Sequence, residues 1–438
     1  MVTIELVRSP AWTPALSSSN SKNKETDDEQ LSHKFHPTFT YPFYGDDQEV
    51  IGYRDPKVTL MYSASSMSVM VSSTFKEKHP TDATVDLVQP LLEYLPQDLI
   101  HDQAKFAALL RTDASATTAP PGEKVLEYTL PGCGLDVFEV YSCRFSTPNF
   151  TRLYDRLKIL TMFFIEAATP AETDDPHWDF LIVYRRPSSS STGNGASGGG
   201  FAREFIAMVS LYSFFMYPEG VRRRLSQVLV LPPYQRKGHA RRLYEYVLET
   251  CVRNAEVRQL TIEDPSEAMD VVRDLGDLHY LVRNNHGGVW ALAAAGLATE
   301  EDDEEADPKT SASTPSRPGS SMSSSSSPAT PGKVGRDPRV LCSHAAKVAA
   351  LAQLTTKWKL HSRQAERLYE MLVLREMRAR SNEGYRLMVK ARIFRQNKDA
   401  LMLLEDQRER TEKIHETYQA VLDEYRERLR GLVKILGR

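Results

Sequence analysis

Cysteine is scarce in this chain. Its four cysteines, Cys133, Cys143, Cys251 and Cys342, form no CxxC pair and no zinc spacing, which argues against a metal ribbon and suits a reducing compartment. Net charge is nearly absent too: 55 basic against 58 acidic side chains leave -3, so no global field announces a nucleic-acid partner and direct nucleic-acid binding is not expected. No apolar run reaches the roughly 20 residues of a membrane span, so no membrane contact is expected. The opening MVTIELVRSPAWTPALSSSNSKNKETDDEQ lacks the apolar core of a secretory signal, and residues 1–30 read as a disordered tail. His33 and His36 have no further ligand candidates nearby in sequence, so no metal is expected.

What is present suffices for real cores. Hydrophobic residues make up 41% and charged ones 26% of 438 residues, room for two or three domains. Three stretches are too polar or too rich in Gly and Ser to offset their ordering entropy: TDASATTAPPGE (112–123), SSSSTGNGASGGG (188–200) and the acidic, then Ser/Pro-rich 299–337. The first reads as a surface loop and the second as the tip of a hairpin between WDFLIVYRR and FAREFIAMVSLYSFF. The third reads as a linker between domains. Alternating runs between 31 and 150 predict strands, with a helix around 102–111. FTRLYDRLKILTMFFIE (150–166) has helical spacing, and 340–438 carries no strand signal. There, Ile414, Tyr418, Val421, Tyr425, Leu429, Leu432 and Leu436 recur every three or four residues, as in a helical bundle. The basic segment KARIFRQNK (390–398) reads as a solvated helix face, with nucleic-acid binding the other reading its charge allows.

The chemistry concentrates in VLVLPPYQRKGHARRLYEYV (228–247). Val228, Leu229, Val230 and Leu231 predict a strand buried on both faces, ended by Pro232 and Pro233. Ala240, Leu243, Tyr244, Val247, Leu248, Cys251 and Val252 then mark one apolar stripe of a helix. Strand, turn and helix leave unpaired N–H groups at the helix start, beside Gly238, Arg236 and Lys237, a place suited to phosphate. On the residues alone, a basic strand–helix connection fits as well. Glu263 ends the next strand, QLTIED, at the same sheet edge; it is either a general base or a cap on the turn before Pro265.

At QRKGHA the chain resembles the GNAT superfamily of N-acetyltransferases. FHPTFTYPFYGDDQEVIGYRDPKV, FFIEAATPAETDDPHWDFLIVY, SQVLVLPPYQRKGHARRL, LTIEDPSEAMDVVRDLGD and KWKLHSRQAERLYEMLVL narrow the resemblance to the type B histone acetyltransferase family. That resemblance implies an α+β fold: a mixed-sheet N-acetyltransferase core (150–298), an amino-terminal α/β domain (31–149), the linker (299–338) and a helical carboxyl-terminal domain (339–438). It implies acetyl-CoA as co-substrate. Val228, Leu229 and Val230 would run along the pantetheine arm, Gln235, Arg236, Lys237, Gly238, His239, Ala240 and Arg241 around the phosphates, and Ser266 near the coenzyme.

The same resemblance implies Glu263 as base, with Glu166 and Asp264 as further acids, and direct transfer without an acyl-enzyme. Asp46, Asp47 and Gln48, and Phe215, Met216 and Tyr217, would line the path of a histone tail. As bare sequence, GDD is also an ordinary turn. Gln48 stands where relatives commonly carry an acid. The acceptors implied are lysines in the tail of free, newly made histone four, with histone three as its dimer partner. A WD40-repeat histone-binding subunit and residence in cytoplasm and nucleus are implied as well. Two other readings stay open on the sequence: an acetyltransferase for another amine, and a non-enzymatic histone-binding protein using EEDDEEAD (300–307).

Overall fold

The computed structural model describes residues 2–8, 32–79, 86–115, 119–186, 203–284, 344–377 and 383–437. The hairpin tip at 188–200 and the linker at 299–338 lie outside the described residues, as does most of the tail expected at 1–30. The chain divides into two compact units, Met1–Ser266 and Glu267–Arg438.

The first unit begins with β1 (Val2–Val7), β2 (Ser32–Phe35), α1 (Tyr41–Tyr44), β3 (Tyr53–Arg54), β4 (Lys57–Ser63), β5 (Val69–Thr74) and β6 (Glu77–Lys78). Next come α2 (Gln89–Leu92), α3 (Gln103–Ser115), β7 (Glu123–Tyr128), β8 (Val137–Cys143) and α4 (Phe150–Phe164). Then follow β9 (Trp178–Arg186), β10 (Glu204–Phe215), β11 (Val221–Val230), α5 (His239–Arg253) and β12 (Val257–Ile262). A four-stranded sheet has the order β2-β1-β4-β5, a six-stranded sheet the order β12-β11-β10-β9-β8-β7, and β3 pairs with β6. β1 runs parallel to β4 and β11 parallel to β12, while the other pairings are antiparallel. Mixed sheets with separate helices make the fold α+β.

Three expectations need correction. Val2–Val7, assigned to a disordered tail, is strand β1, paired on both sides, with Val2, Ile4 and Leu6 buried. Its period-two alternation spans only six residues, and the polar run that follows masked it. The helix expected to stop near 111 extends through Ser115. Asp113 explains the extra turn: its carboxylate accepts from the hydroxyls of Ser63 and Ser66, each at 2.5 Å, a tertiary tie that loop composition cannot reveal. The border placed at 149/150 falls inside the six-stranded sheet, since β7 and β8 belong to it.

The core follows from pattern. From Glu204 to Leu211 every residue of β10 is buried, as a central strand covered on both faces requires. α4 buries Leu153, Leu157, Leu160 and Phe163, and α5 buries Leu243, Tyr244, Val247, Leu248 and Cys251. Each such large side chain contributes about 1.5–3 kcal/mol when fully withdrawn from water.

The second unit is helical throughout its described residues: α6 (Glu267–Arg283), α7 (His344–Thr356), α8 (Ser362–Glu376), α9 (Glu383–Gln396), α10 (Lys398–Met402) and α11 (Gln407–Ile435). Its interior holds charge as well as apolar side chains. Glu370, fully buried, accepts from Arg392 Nε at 2.9 Å on both oxygens and from the Tyr425 hydroxyl at 2.9 Å. Arg392, read from the sequence as part of a solvated basic face, is 4% exposed. Alternating charges hid which one turns inward. Asp274, on α6, accepts from Gln364 and Arg367 of α8, both at 2.9 Å. Removing one partner of a buried pair leaves an uncompensated charge. Arg392→Met should therefore cost about 3–5 kcal/mol in urea denaturation, whereas Lys413→Met, at an exposed pair with Glu416, should cost under about 1 kcal/mol.

Candidate active site

β11 ends in a 3-10 turn, Pro232–Tyr234, and the chain then crosses Gln235, Arg236 and Lys237 to reach α5. Arg236 takes a φ of +62° and Gly238 one of +102°. The second lies where a side chain is strained, so glycine suits it. Gly238 is the N-cap of α5 and brings no side-chain cap. The first-turn N–H groups of α5 thus point into the turn without an intrahelical acceptor. Arg236 and Lys237 are exposed beside them, and Arg241 on the first turn is held by Glu245 at 2.5 Å. Gln235 Nε2 donates to the Val230 carbonyl at 2.9 Å, folding the turn back over the strand end.

His239 enters the helix pointing inward. Its Nδ1 lies 2.8 Å from the Tyr128 hydroxyl, and its ring meets Phe138 edge-on at 4.5 Å. It is therefore a floor beneath the turn rather than an exposed phosphate contact.

The strand edge beside this turn is open. Opposite β10, Ser210 faces Gln227 and Leu211 faces Leu225, so Ser226 is an extra residue, a β-bulge. Bulges bend and twist the strand that carries them. The parallel ladder to β12 ends just there, at Leu225–Ile262, followed by one last bond from Glu263 N to the Leu225 carbonyl at 2.9 Å. β11 continues to Val230 paired with β10 on one side, and on its β12 side no strand lies beside it among the described residues. Leu229 and Val230 are buried and Val228 half-buried. Their side chains pack, as the core reading of these aliphatics has it, and the Val230 carbonyl is taken by Gln235.

Glu263 sits at the fork. Its carboxylate accepts from Ser226 Oγ at 2.5 Å and from Arg224 Nη1 at 3.4 Å, and its side chain keeps 43% exposure. Arg224 is steadied by the Phe214 ring, 4.4 Å below the guanidinium. Asp264 follows with a φ of +30°, exposed, turning the chain before Pro265 and the exposed Ser266. Neither Ser226 nor Arg224 was singled out from the sequence. A lone serine in RRRLSQVLV was the available signal, but a bulge has no single-sequence signature.

Glu166 lies exposed in the turn after α4. That turn is tied to the site by Gln227 Nε2, which donates to the Thr169 carbonyl at 2.8 Å. It is tied to the acidic loop by Tyr41, whose hydroxyl accepts from Ala167 N at 3.0 Å, and by Thr38 N and Phe39 N, which both donate to the Phe163 carbonyl at 2.9 Å. α1 leads straight into Gly45, Asp46, Asp47 and Gln48, all exposed, with Gln48 accepting from the Thr40 hydroxyl. Phe215 and Tyr217, 76% and 88% exposed, and the half-buried Met216 form the tip between β10 and β11. No hydrogen bond or ring contact joins that tip to Asp46–Gln48.

The chain is similar to known proteins over both of these regions. Residues 12–166 match the family described as "Histone acetyl transferase HAT1 N-terminus", and residues 158–276 match the "Acetyltransferase (GNAT) family". A histone acetyltransferase type B catalytic subunit of Mycosarcoma maydis is 30% identical, over 89% of this chain and 82% of the relative. The namesake of Cryptococcus neoformans var. neoformans serotype D is 28% identical over 97% and 95%. The one of Aspergillus fumigatus is 29% identical over 90% and 73%.

The chain belongs to the type B histone acetyltransferase catalytic subunits. The relatives are named as histone acetyltransferases, and the GNAT superfamily takes the acetyl group from acetyl-CoA. The residues of this acetyltransferase are of the kind that coenzyme needs: the first-turn N–H groups of α5 with Arg236 and Lys237 would hold the phosphates, and the edge of β11 away from β10 would hold the amide-bearing arm. Among the described residues, no helix is long and apolar enough to cross a membrane.

Burial, with Lys237 nearby, pushes His239 from 6.5 down to about 4. Below pH 6.5 the unfolded chain takes up this proton while the folded one does not. The stability this group supplies is full above 6.5 and falls as the pH drops toward about 4, by at most about 3 kcal/mol. His239→Phe should flatten that part of the stability profile, measured by denaturation at stepped pH.

Proposed function

We propose that this acetyltransferase moves an acetyl group from acetyl-CoA to the side-chain amine of lysines in the amino-terminal tail of free, newly synthesised histone four, by direct transfer with Glu263 as general base. The observation that carries the reading is the fork itself: a solvent-reachable carboxylate, fixed by Ser226 and Arg224, where the open edge of β11 begins. A lysine amine has a pKa of about 10.4 and attacks only after losing a proton. Glu263 takes that proton, directly or through a water. The amine nitrogen then bonds to the thioester carbonyl, whose oxyanion is met by backbone N–H groups of the Val228–Val230 edge. The carbon–sulfur bond breaks, the nitrogen gives up its second proton, and the coenzyme leaves as a thiol, one of the two protons going to its sulfur and the other to solvent.

Direct transfer is supported by the two buried cysteines. Burial pushes the Cys251 thiol to about 11 and the Cys143 thiol to about 12, so neither is a thiolate at neutral pH. Asp46 and Asp47 supply negative charge for a cationic tail, with Gln48 beside them and with Phe215, Met216 and Tyr217 as the apolar side of the groove. Glu166 and Asp264 serve as additional acids near the amine. The remaining parts of this reading are histone three as the dimer partner of the substrate, a WD40-repeat subunit, no metal, and work in both cytoplasm and nucleus.

The test is mass-spectrometric mapping of acetyl groups on full-length histone four, incubated with acetyl-CoA and the native or Glu263→Gln protein. The native chain should acetylate the tail selectively. The variant should be slower by about 10²–10⁴-fold with coenzyme binding retained. An unchanged rate would remove Glu263 from the mechanism. Acetylation of other amines in preference to the tail would overturn the substrate. Replacing Asp46 and Asp47 by Asn should raise KM for the tail several-fold and leave KM for acetyl-CoA alone, since only the former loses charge attraction.

A further inference from the structure

Arg8 lies far from the QRKGHA turn in sequence, at the end of β1, yet it reaches the base of that turn. Its Nε donates to Glu204 Oε1 at 3.0 Å, and its Nη2 lies 3.4 Å from Glu204 Oε2 and 3.5 Å from the Tyr234 hydroxyl. Glu204, the first residue of β10 and 1% exposed, also accepts from Arg185 at 3.0 Å, and Arg185 in turn donates to Asp136 at 2.7 Å. Burial, with the Glu204 carboxylate nearby, raises the pKa of the Tyr234 hydroxyl, so it stays protonated beside the pair. Backbone bonds lock the corner: Ala64 N to the Val7 carbonyl at 2.8 Å and Phe205 N to the Ala64 carbonyl at 2.7 Å.

Tyr234 is the last residue of the 3-10 turn, and Gln235 to Gly238 follow it directly. Its ring is enclosed by His33 edge-on at 6.3 Å, His239 at 6.5 Å and Lys237 Nζ at 5.3 Å. A carboxylate as buried as Glu204 needs both guanidinium partners. Arg8 is thereby fixed, and with it the hydroxyl end of Tyr234. The opposite side of that ring carries the turn.

We propose that Arg8 and Glu204 are positioning residues for the coenzyme. Through Tyr234 they hold Gln235–Gly238 in the shape that receives a pyrophosphate, which makes the amino-terminal strand a working part of the coenzyme site. The proposal rests on the reading of this turn as the acetyl-CoA phosphate cradle. It predicts a loss confined to ligands that carry the pyrophosphate.

Calorimetric titration of the full chain with coenzyme A and with pantetheine, which lacks the pyrophosphate and nucleotide, separates positioning from mere structure. Arg8→Met and Tyr234→Phe should each weaken coenzyme A by about ten-fold, the scale of one hydrogen bond to a charged group. Pantetheine binding should be unchanged and Arg8→Lys intermediate. Melting temperature is recorded for every variant. Equal losses for both ligands, or a loss that follows the melting temperature, would make the cluster structural and overturn the proposal, as would unchanged coenzyme A binding in both variants. A native chain that binds coenzyme A but acetylates no histone would sink the functional reading and leave this one standing. A native chain that does not bind coenzyme A would sink both.

Discussion

A parallel pair of strands that parts before one of them ends must leave backbone groups on the longer strand without partners. Such groups are costly unless water or a ligand meets them. In this chain the parting is imposed by one surplus residue, Ser226, which bends β11 away from β12. The consequences follow in order. The open edge offers donors and acceptors to an amide-bearing arm. The bent strand delivers the chain to the turn at Gln235–Gly238, where helix α5 begins with its N–H groups free. The same serine then holds Glu263, so the candidate base and the open edge share a cause and cannot drift independently.

Charge inside the molecule is held by a second rule: every deeply buried carboxylate described above has a guanidinium or amide partner. Glu204 has Arg8 and Arg185, Glu370 has Arg392, and Asp274 has Gln364 and Arg367. Glu263 differs. It has the distant end of Arg224 and one hydroxyl, with its side chain nearly half exposed. A carboxylate outside a bidentate pair is able to take up a proton, as the proposed base requires. The positive charges around the turn, Arg236 and Lys237, are likewise exposed rather than spent on internal carboxylates. The imidazole beneath them, His239, stays neutral because burial and Lys237 both oppose its charge.

Much of this could be read in the residues before any coordinates. The helix expected over 150–166, which ends at Phe164, the pairing of β9 with β10, and the strand–turn–helix around Gly238 all carry strong period or turn signals. Apolar stripes also chose the buried face of α5 correctly. What stayed hidden depended on partners distant in sequence. β1 is a short alternation made into a strand by β2 and β4 on either side. The last turn of α3 exists because Ser63 and Ser66 grip Asp113. At the site, Glu263 was legible as a carboxylate closing a strand, whereas Ser226, Arg224, Tyr128 and Arg8 were not. A bulge, a floor beneath a turn and a clamp from another sheet leave no local pattern.

The most direct test of the account is amide hydrogen exchange of the full chain with and without coenzyme A. Protection should appear at Val228–Val230, along the open edge of β11, and at Gly238–Arg241 at the start of α5, with β9 unchanged. Protection absent from both segments, or found only elsewhere on the chain, would contradict the claim that the fork between β11 and β12 is where this acetyltransferase holds its acetyl donor.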